Sequence, residues 1–300
     1  MQMKNVKRKI EISIFFAIIF VVLFIHVISM LSPMAWGFIT ALKSQEDFRV
    51  NVLGLPQGNI LEWKWSNFIG VTEGFYTQVT TDAGRFHVGF LPMLQNTLMY
   101  AVGSALIRAI VPCVVGYVTA KFDYKFSRFI NTMVLVLMTI PIIGSAPSEL
   151  QILQELNLYD TMIGNYIQKF NFLGMYYLVY HAAFKNISND FSEAAYVDGA
   201  SELRVMLQII MPMIATVIGT VFLIHFIDFW NDYQTPLLYL PSWAMLARGL
   251  FSLSQRSQGN FATVPYRMAG CLVLATPILI LFLIFKEKLM GNLSMGGIKE

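Results

Sequence analysis

Uncharged runs as long as a bilayer is thick decide what this chain can become. The first extends from Ile12 to Leu42 without one formally charged side chain. A helix needs about 20 residues to cross the hydrocarbon core of a membrane, and this run exceeds that length. Less pure runs follow at 91–119, 129–148, 161–184, 205–227 and 268–285. Only 13% of the residues are Asp, Glu, Lys or Arg, against about 25% in a typical soluble domain. Lipid must therefore replace water over much of the surface. Lipid cannot hydrogen-bond a bare amide, and the runs are too long and uniform for barrel strands, so they are read as helices.

The expectation is an all-α membrane protein with six transmembrane helices. A short amino-terminal segment (1–11) precedes a transmembrane domain (12–285), with spans at about 12–34, 91–119, 129–148, 161–184, 205–227 and 268–285, and a tail follows (286–300). The first span is expected to emerge near Pro33 to Trp36, and it is too long for a cleavable signal. Between it and the second span, residues 43–88 carry Pro, Gly, Asn and scattered charges and read as a solvated loop with some local structure. The fourth span is the least uniform, interrupted by Lys169 and His181. Lys169 is expected near its outer end, snorkelling to the headgroups. Pro141 and Pro147 fall in the third span. Cys113 and Cys271 both lie in apolar runs, with no metal-ligand spacing and no expected disulfide.

Basic residues in short flanks set the orientation. Lys4, Lys7, Arg8 and Lys9 precede the first span, Lys121, Lys125 and Arg128 lie between the second and third, and Lys286, Lys288 and Lys299 follow the sixth. With six spans all three groups face one side, the cytoplasm, and both termini lie there. The connection 186–204 is then cytoplasmic too. The third connection faces outward and carries Glu149, Glu155 and Asp160 with no base before Lys169.

That cytoplasmic connection holds the most informative pattern. From Asn186 to Met213 it reads NISNDFSEAAYVDGASELRVMLQIIMPM. Asp190 is a helix-cap candidate, and Glu193 three residues on completes a capping box. Ala194 and Ala195 favour helix with little bulk, and Gly199 suits a left-handed stop. Ser201 is placed to cap a second helix, which Pro212 would kink or break. A short, small-surfaced helix across the cytoplasmic face, followed by a sharp turn into the fifth span, would fit a cleft in a partner protein.

Glu193, Ala194, Ala195, Gly199, Ile209 and Pro212 stand at the spacing of the EAA loop of binding-protein-dependent ABC importer permeases, which this segment resembles. Asp198, Gly199 and Ala200 match the Asp-Gly-Ala variant of the carbohydrate, maltose-type members; Met211 departs from the usual Leu. The likeness extends to Pro33, Trp36 and the Leu42-Lys43 end of the first span, to Asn96-Thr97-Leu98, to LNLYDTMIG (156–164), to FWNDY (229–233) and to the terminal MGGIKE. The resemblance implies a type I importer permease fold forming half of a sugar-translocation pathway. It implies a second related permease, two ABC ATPase subunits docked on the EAA helix, and an extracytoplasmic solute-binding protein. The chain has no G-x-x-x-x-G-K-S/T phosphate loop, so ATP and Mg would be bound by the partner ATPase, with no cofactor and no catalysis here.

Other residues carry open alternatives. Arg108 in mid-span is either functional or paired structurally inside the bundle. Trp230, Asn231, Asp232 and Tyr233 could line a sugar path or form an interfacial aromatic belt. His26, His181 and His225 are isolated on separate spans and read as packing residues, and the basic clusters are topology signals rather than nucleic-acid sites. An importer for another polar solute, an ion-gradient transporter and a membrane-anchored scaffold are the alternatives. Against the second, no acidic residue lies in mid-span and no internal repeat is visible.

Overall fold

The structure is a computed structural model. It describes residues 2–81, 84–140, 144–255, 259 and 262–290, with side chains from residue 14 to 284 apart from residue 81. Pro141 and the MGGIKE tail, together with the side chains of the terminal lysines and Arg8, lie outside the described residues. The chain forms two compact units, 1–74 with 253–275, and 75–252 with 276–300.

In the first unit, helix α1 (Gln2–Ala41) continues through Pro33 and past Trp36. Its apolar side chains from Ile14 to Leu31 are exposed on all sides, the pattern of a helix solvated by lipid. What ends it is a set of side-chain caps. The Asn67 amide donates to the carbonyls of Ala41 and Lys43, which a helix end leaves without partners. Lys43, only 1% exposed, reaches the carbonyls of Asn51 and Val52. The solvated loop expected here contains α2 (Gln45–Val50), whose first turn is capped by Ser44, and α3 (Ser66–Gly74).

The second unit opens with an antiparallel hairpin, β1 (Thr77–Thr81) and β2 (Gly84–Val88). Helix α4 (Phe90–Lys121) is its central strut and packs chiefly on α8 (Met175–Lys185) and α12 (Ala215–Asn231). Small side chains allow this: Ala101, Ser104, Ala105, Ala109 and Cys113 are buried along α4. At Gly116 the approach to α8 is closest, and a Cβ there would lie 2.9 Å from Tyr180 Cβ. Small residues at such crossings let helix backbones approach within a membrane, where no hydrophobic force drives association.

The third, fourth and fifth expected spans are broken in ways hydropathy does not report, whereas the sixth lies within one helix. The third divides into α5 (Lys125–Thr139) and α6 (Ala146–Glu155). Pro147 sits in the first turn of α6, where its missing N–H costs nothing. The fourth divides into α7 (Met162–Gln168) and α8. Between them the Asn171 side chain takes the Leu173 amide proton, a local turn that competes with helix. The fifth is α10 (Glu202–Val205), a π-helical turn (Met206–Ile210), α11 (Met211–Met213) and then α12, bent by 77° at the break. Pro212 has no N–H to continue the ladder. The long apolar part of the fifth is consequently 215–231 rather than 205–227. Helices α13 (Gln234–Tyr239), α14 (Leu246–Ser254) and α15 (Val264–Met290) complete the chain. Among the described residues three helices are long and apolar enough to cross a membrane alone, four if the bent pair counts as one span.

Candidate functional site

The segment 186–213 is built from its anchor upward. Helix α8 ends at Lys185, and Lys121, the last residue of α4, donates to the Ile187 carbonyl (2.6 Å) and to Asn189 Oδ1 (3.0 Å). Helix α9 (Asp190–Val197) begins there. The expected capping box is absent: Asn189 occupies the cap position, and Asp190 is the first helical residue. Ser188 Oγ accepts the Asp190 amide proton, and Lys121 engages the Asn189 side chain, so nothing remains for Glu193 to complete. Asp190 and Glu193 still place negative charge at the positive end of α9.

The exit from α9 follows the spacing closely. Gly199 has φ +81°, and the Ala200 amide donates back to Ala195 O at 2.9 Å, the six-to-one bond of a glycine-terminated helix. Ser201 then takes the cap position of α10, extended but without a side-chain cap bond.

The two alanines divide the labour. Ala195 is buried in a cluster with Tyr117 of α4, Tyr180 and Phe184 of α8, and Val205 and Ile210 beyond the turn; Ala200 packs against its edge. Glu193 and Ala194 point the other way, with Asp190 and Val197, on one exposed face spaced i, i+3, i+4, i+7. Val197 is 87% exposed. Phe191, Asp198 and Leu203 are also exposed. The element is fixed to the membrane helices on one side and presents a small, partly apolar face on the other.

The FWNDY stretch separates by packing. Trp230 is 1% exposed and lies against Phe226 at 5.5 Å between ring centroids, so it lines no path. Asn231, Asp232 and Tyr233 border an open concavity of about 510 Å³ at the end of α12. Asp232 is committed to the Tyr100 hydroxyl (2.8 Å) and the Thr235 amide (3.0 Å). Asn231 bonds the Ile227 carbonyl of its own helix, and Tyr233 stacks on Phe251.

Arg108 faces a different cavity, about 390 Å³, walled by α6, α7 and the turn after α7. Lys169, Glu149, Gln168 and Asn171 share it. Lys169 does not snorkel: it is 8% exposed, with its ammonium 5.4 Å from the Phe229 ring centre. Glu149, on α6 outside the long apolar helices, is held below the usual carboxylate range, first by the Ser145 hydroxyl, then by Gln168, Tyr239 and the Lys169 charge, against the opposing effect of burial. Arg108 forms no ion pair among the described residues, so the structural pairing considered for it is not made there. The sequence reading missed Lys169, Gln168 and Asn171 as neighbours of Arg108. The available signal was a lone cation beside an Asn in an otherwise apolar run.

Comparison with known proteins agrees with this architecture. The chain is 24% identical to the diacetylchitobiose uptake system permease protein NgcG of Streptomyces coelicolor, with 94% of this chain and 88% of that protein covered. It is likewise 24% identical to the sulfoquinovosyl glycerol transport system permease protein SmoH of Agrobacterium fabrum, with 93% of each covered. Its fold matches a chain in the crystal structure of a bacterial ABC transporter involved in the import of the acidic polysaccharide alginate, with TM-score 0.71, 20% identity, and 92% and 96% of the two chains covered. Residues 113–289, which hold α9, the π-helical turn and α12, match the family described as binding-protein-dependent transport system inner membrane component, and the chain belongs to that family.

Proposed function

We propose that this ABC importer permease carries saccharides and forms half of their translocation pathway. The pathway would be completed by a second, related permease. Two ATPase subunits that bind ATP and Mg would dock beneath it, and an extracytoplasmic binding protein would deliver the solute. Six spans with both termini in the cytoplasm suit this assembly, because they put α9 on the ATPase side. The names of the relatives support the saccharide class.

The observation that carries the coupling assignment is the two-sidedness of α9. Ala195 ties it to the membrane helices, while Glu193, Ala194 and Val197 are presented outward with no side-chain partner among the described residues. Asp198, Gly199 and Ala200 then turn the chain directly into α10, so a displacement of α9 is passed to the fifth span. A groove on the ATPase closing around α9 would act through that connection.

The test is a mild-detergent pull-down of the tagged chain from its native membrane, with mass spectrometry of what accompanies it. An ATPase, a second permease and a solute-binding protein are expected. Recovery of the chain alone, where other membrane complexes stay intact, refutes the assembly.

A further inference from the structure

The cavity around Arg108 holds a charge arrangement that the importer reading by itself does not call for. Arg108 enters from α4 and Lys169 from the end of α7, and both line the same space. A buried cation in a membrane domain is costly unless something answers its charge. The Glu149 carboxylate lines the same cavity and Asp232 lies near Lys169, so part of the charge is answered at a distance, while each carboxylate takes its hydrogen bonds from other groups. Glu149 Oε2 accepts from Gln168 Nε2 at 2.7 Å and from the Tyr239 hydroxyl at 3.3 Å. Asp232 is held by Tyr100 and Thr235. Among the described residues neither cation forms an ion pair. Lys169 has a 3.5 Å contact to Gln168 Oε1 and the face of Phe229, and among the described residues Arg108 makes no hydrogen bond. Two positive groups and one carboxylate thus share the cavity, with the hydrogen-bond donors of Arg108 and Lys169 largely uncommitted.

The size suits a ligand: about 390 Å³ lies within the ~300–1,000 Å³ of small-molecule sites. Gln168 and Asn171 add amides for hydroxyl groups, and Phe229 lies beneath Lys169. A guanidinium and an ammonium converging on one space favour a carboxylate, sulfonate or phosphate, through charge-assisted hydrogen bonds.

We propose that the Arg108–Lys169 cavity receives the anionic group of the transported solute, which makes the substrate a saccharide bearing one acidic function. This rests on the importer reading above and narrows it. The sugar path considered for FWNDY becomes secondary, since Trp230 is buried and Asp232 engaged.

The experiment uses the complete importer in proteoliposomes and reads ligand-stimulated ATP hydrolysis. Neutral disaccharides are compared with their uronate-, sulfonate- and phosphate-bearing counterparts. Vesicles are made once from phosphatidylcholine alone and once with phosphatidylglycerol added. Stimulation by an acidic saccharide is expected in both lipids. Lys169→Gln and Arg108→Gln should raise its half-stimulating concentration about tenfold or more, and Lys169→Arg should largely restore it. Monodisperse elution of each variant complex separates loss of the anion contact from loss of folding. A variant that does not elute so is replaced by the wild-type complex labelled at Lys169 with an amine reagent, where protection by the acidic saccharide is expected and its lack overturns the site. Stimulation by neutral saccharides only, or acidic stimulation unchanged in both Gln variants, overturns the anion site and leaves the importer reading standing. Loss of activity in the Gln variants only with phosphatidylglycerol present assigns the site to lipid headgroups and also overturns it. No stimulation by any saccharide refutes the saccharide reading itself, and the proposal with it.

Discussion

Gly199 ends α9 and is exposed beside the face that the proposal offers to the ATPase, and one set of substitutions can separate the two roles. At φ +81° an L side chain costs about 1–2 kcal/mol. A Cβ there would meet nothing within 4 Å, so the cost is one of backbone conformation and not of collision. Gly199→Ala should therefore lower the melting temperature of the purified complex modestly, by about 2–4 °C per kcal/mol for a domain of this size. Gly199→Asn should lower it less, because Asn tolerates the left-handed region. Gly199→Arg adds length and charge but points them into open space, so its melting temperature should equal that of Gly199→Ala. Uptake should diverge. The Ala and Asn proteins should transport at a substantial fraction of the wild-type rate, whereas Arg, thrust into the docking groove, should reduce uptake about tenfold or more, the effect of roughly 1.4 kcal/mol at the interface. Scanning calorimetry and uptake into proteoliposomes supply both readouts. Equal uptake by the Ala and Arg proteins would mean that Gly199 only stops a helix, and the docking argument at this residue would fall.

Lys121→Met removes both donors that tie the start of α9 to α4. A loosening of about 1 kcal/mol at this partly exposed site should raise ATP consumed per solute transported severalfold, with Lys121→Arg intermediate; an unchanged ratio refutes the strut. Trp230→Ala should destabilise by about 3–5 kcal/mol, as loss of a buried aromatic does, and reduce the amount of protein without altering which saccharides stimulate ATP hydrolysis. A changed saccharide preference in a well-folded Trp230→Phe protein would return Trp230 to the solute path. Because the folded-state pKa of Glu149 is depressed, its stabilising contribution is present above the unfolded value near 4.3 and is lost as pH falls through the folded one. The acid side of the stability–pH curve should be shallower in Glu149→Gln, and an identical curve would count against the Ser145, Gln168 and Tyr239 contacts. Pro212→Ala restores an amide donor and removes a kink cost of about 3 kcal/mol, which should straighten the bent fifth span, leave the melting temperature unchanged or higher, and weaken solute-stimulated ATP hydrolysis; normal stimulation would show that the bend is not needed.

Hydropathy reveals α1, α4 and α15 because each is one long apolar helix, and length alone identifies it. The glycine stop of α9 is equally legible, since only a local backbone conformation is at stake. Features that depend on a distant partner are not. The capping box at Asp190 is a sound local pattern, yet it is displaced by a lysine 68 residues earlier in the chain. Lys169 reads as a residue free to snorkel until Phe229, sixty positions later, is brought against it. Trp230 looks like a sugar platform in isolation, and its burial follows from the way α12 packs on α4. The break in the fourth span turns on one amide at Asn171, which weighs little in any hydropathy window.

Helix α9, the proposed coupling element, and the cationic cavity are joined by a single stretch of chain. Ala195 shares its cluster with Val205, Ile210, Ile214 and Val221, so α9, packed on α10 and the π-helical turn, belongs to a core that extends across the 77° bend into α12. The far end of α12 carries Phe229, which lies under Lys169, and leads into Asp232, which holds Tyr100. Its 17 residues make a lever about 25 Å long at 1.5 Å per residue, so a rotation of only ~5° at the bend moves the far end by about 2 Å. A shift of that size breaks a hydrogen bond as short as the 2.8 Å contact between Tyr100 and Asp232. It also draws the Phe229 ring from beneath the Lys169 ammonium. The freed Asp232 and the repositioned Lys169 would then change the charge that the cavity offers an acidic solute. Closure of a groove around α9 thus has a direct mechanical route to solute affinity through one bent span, without relay through any second helix.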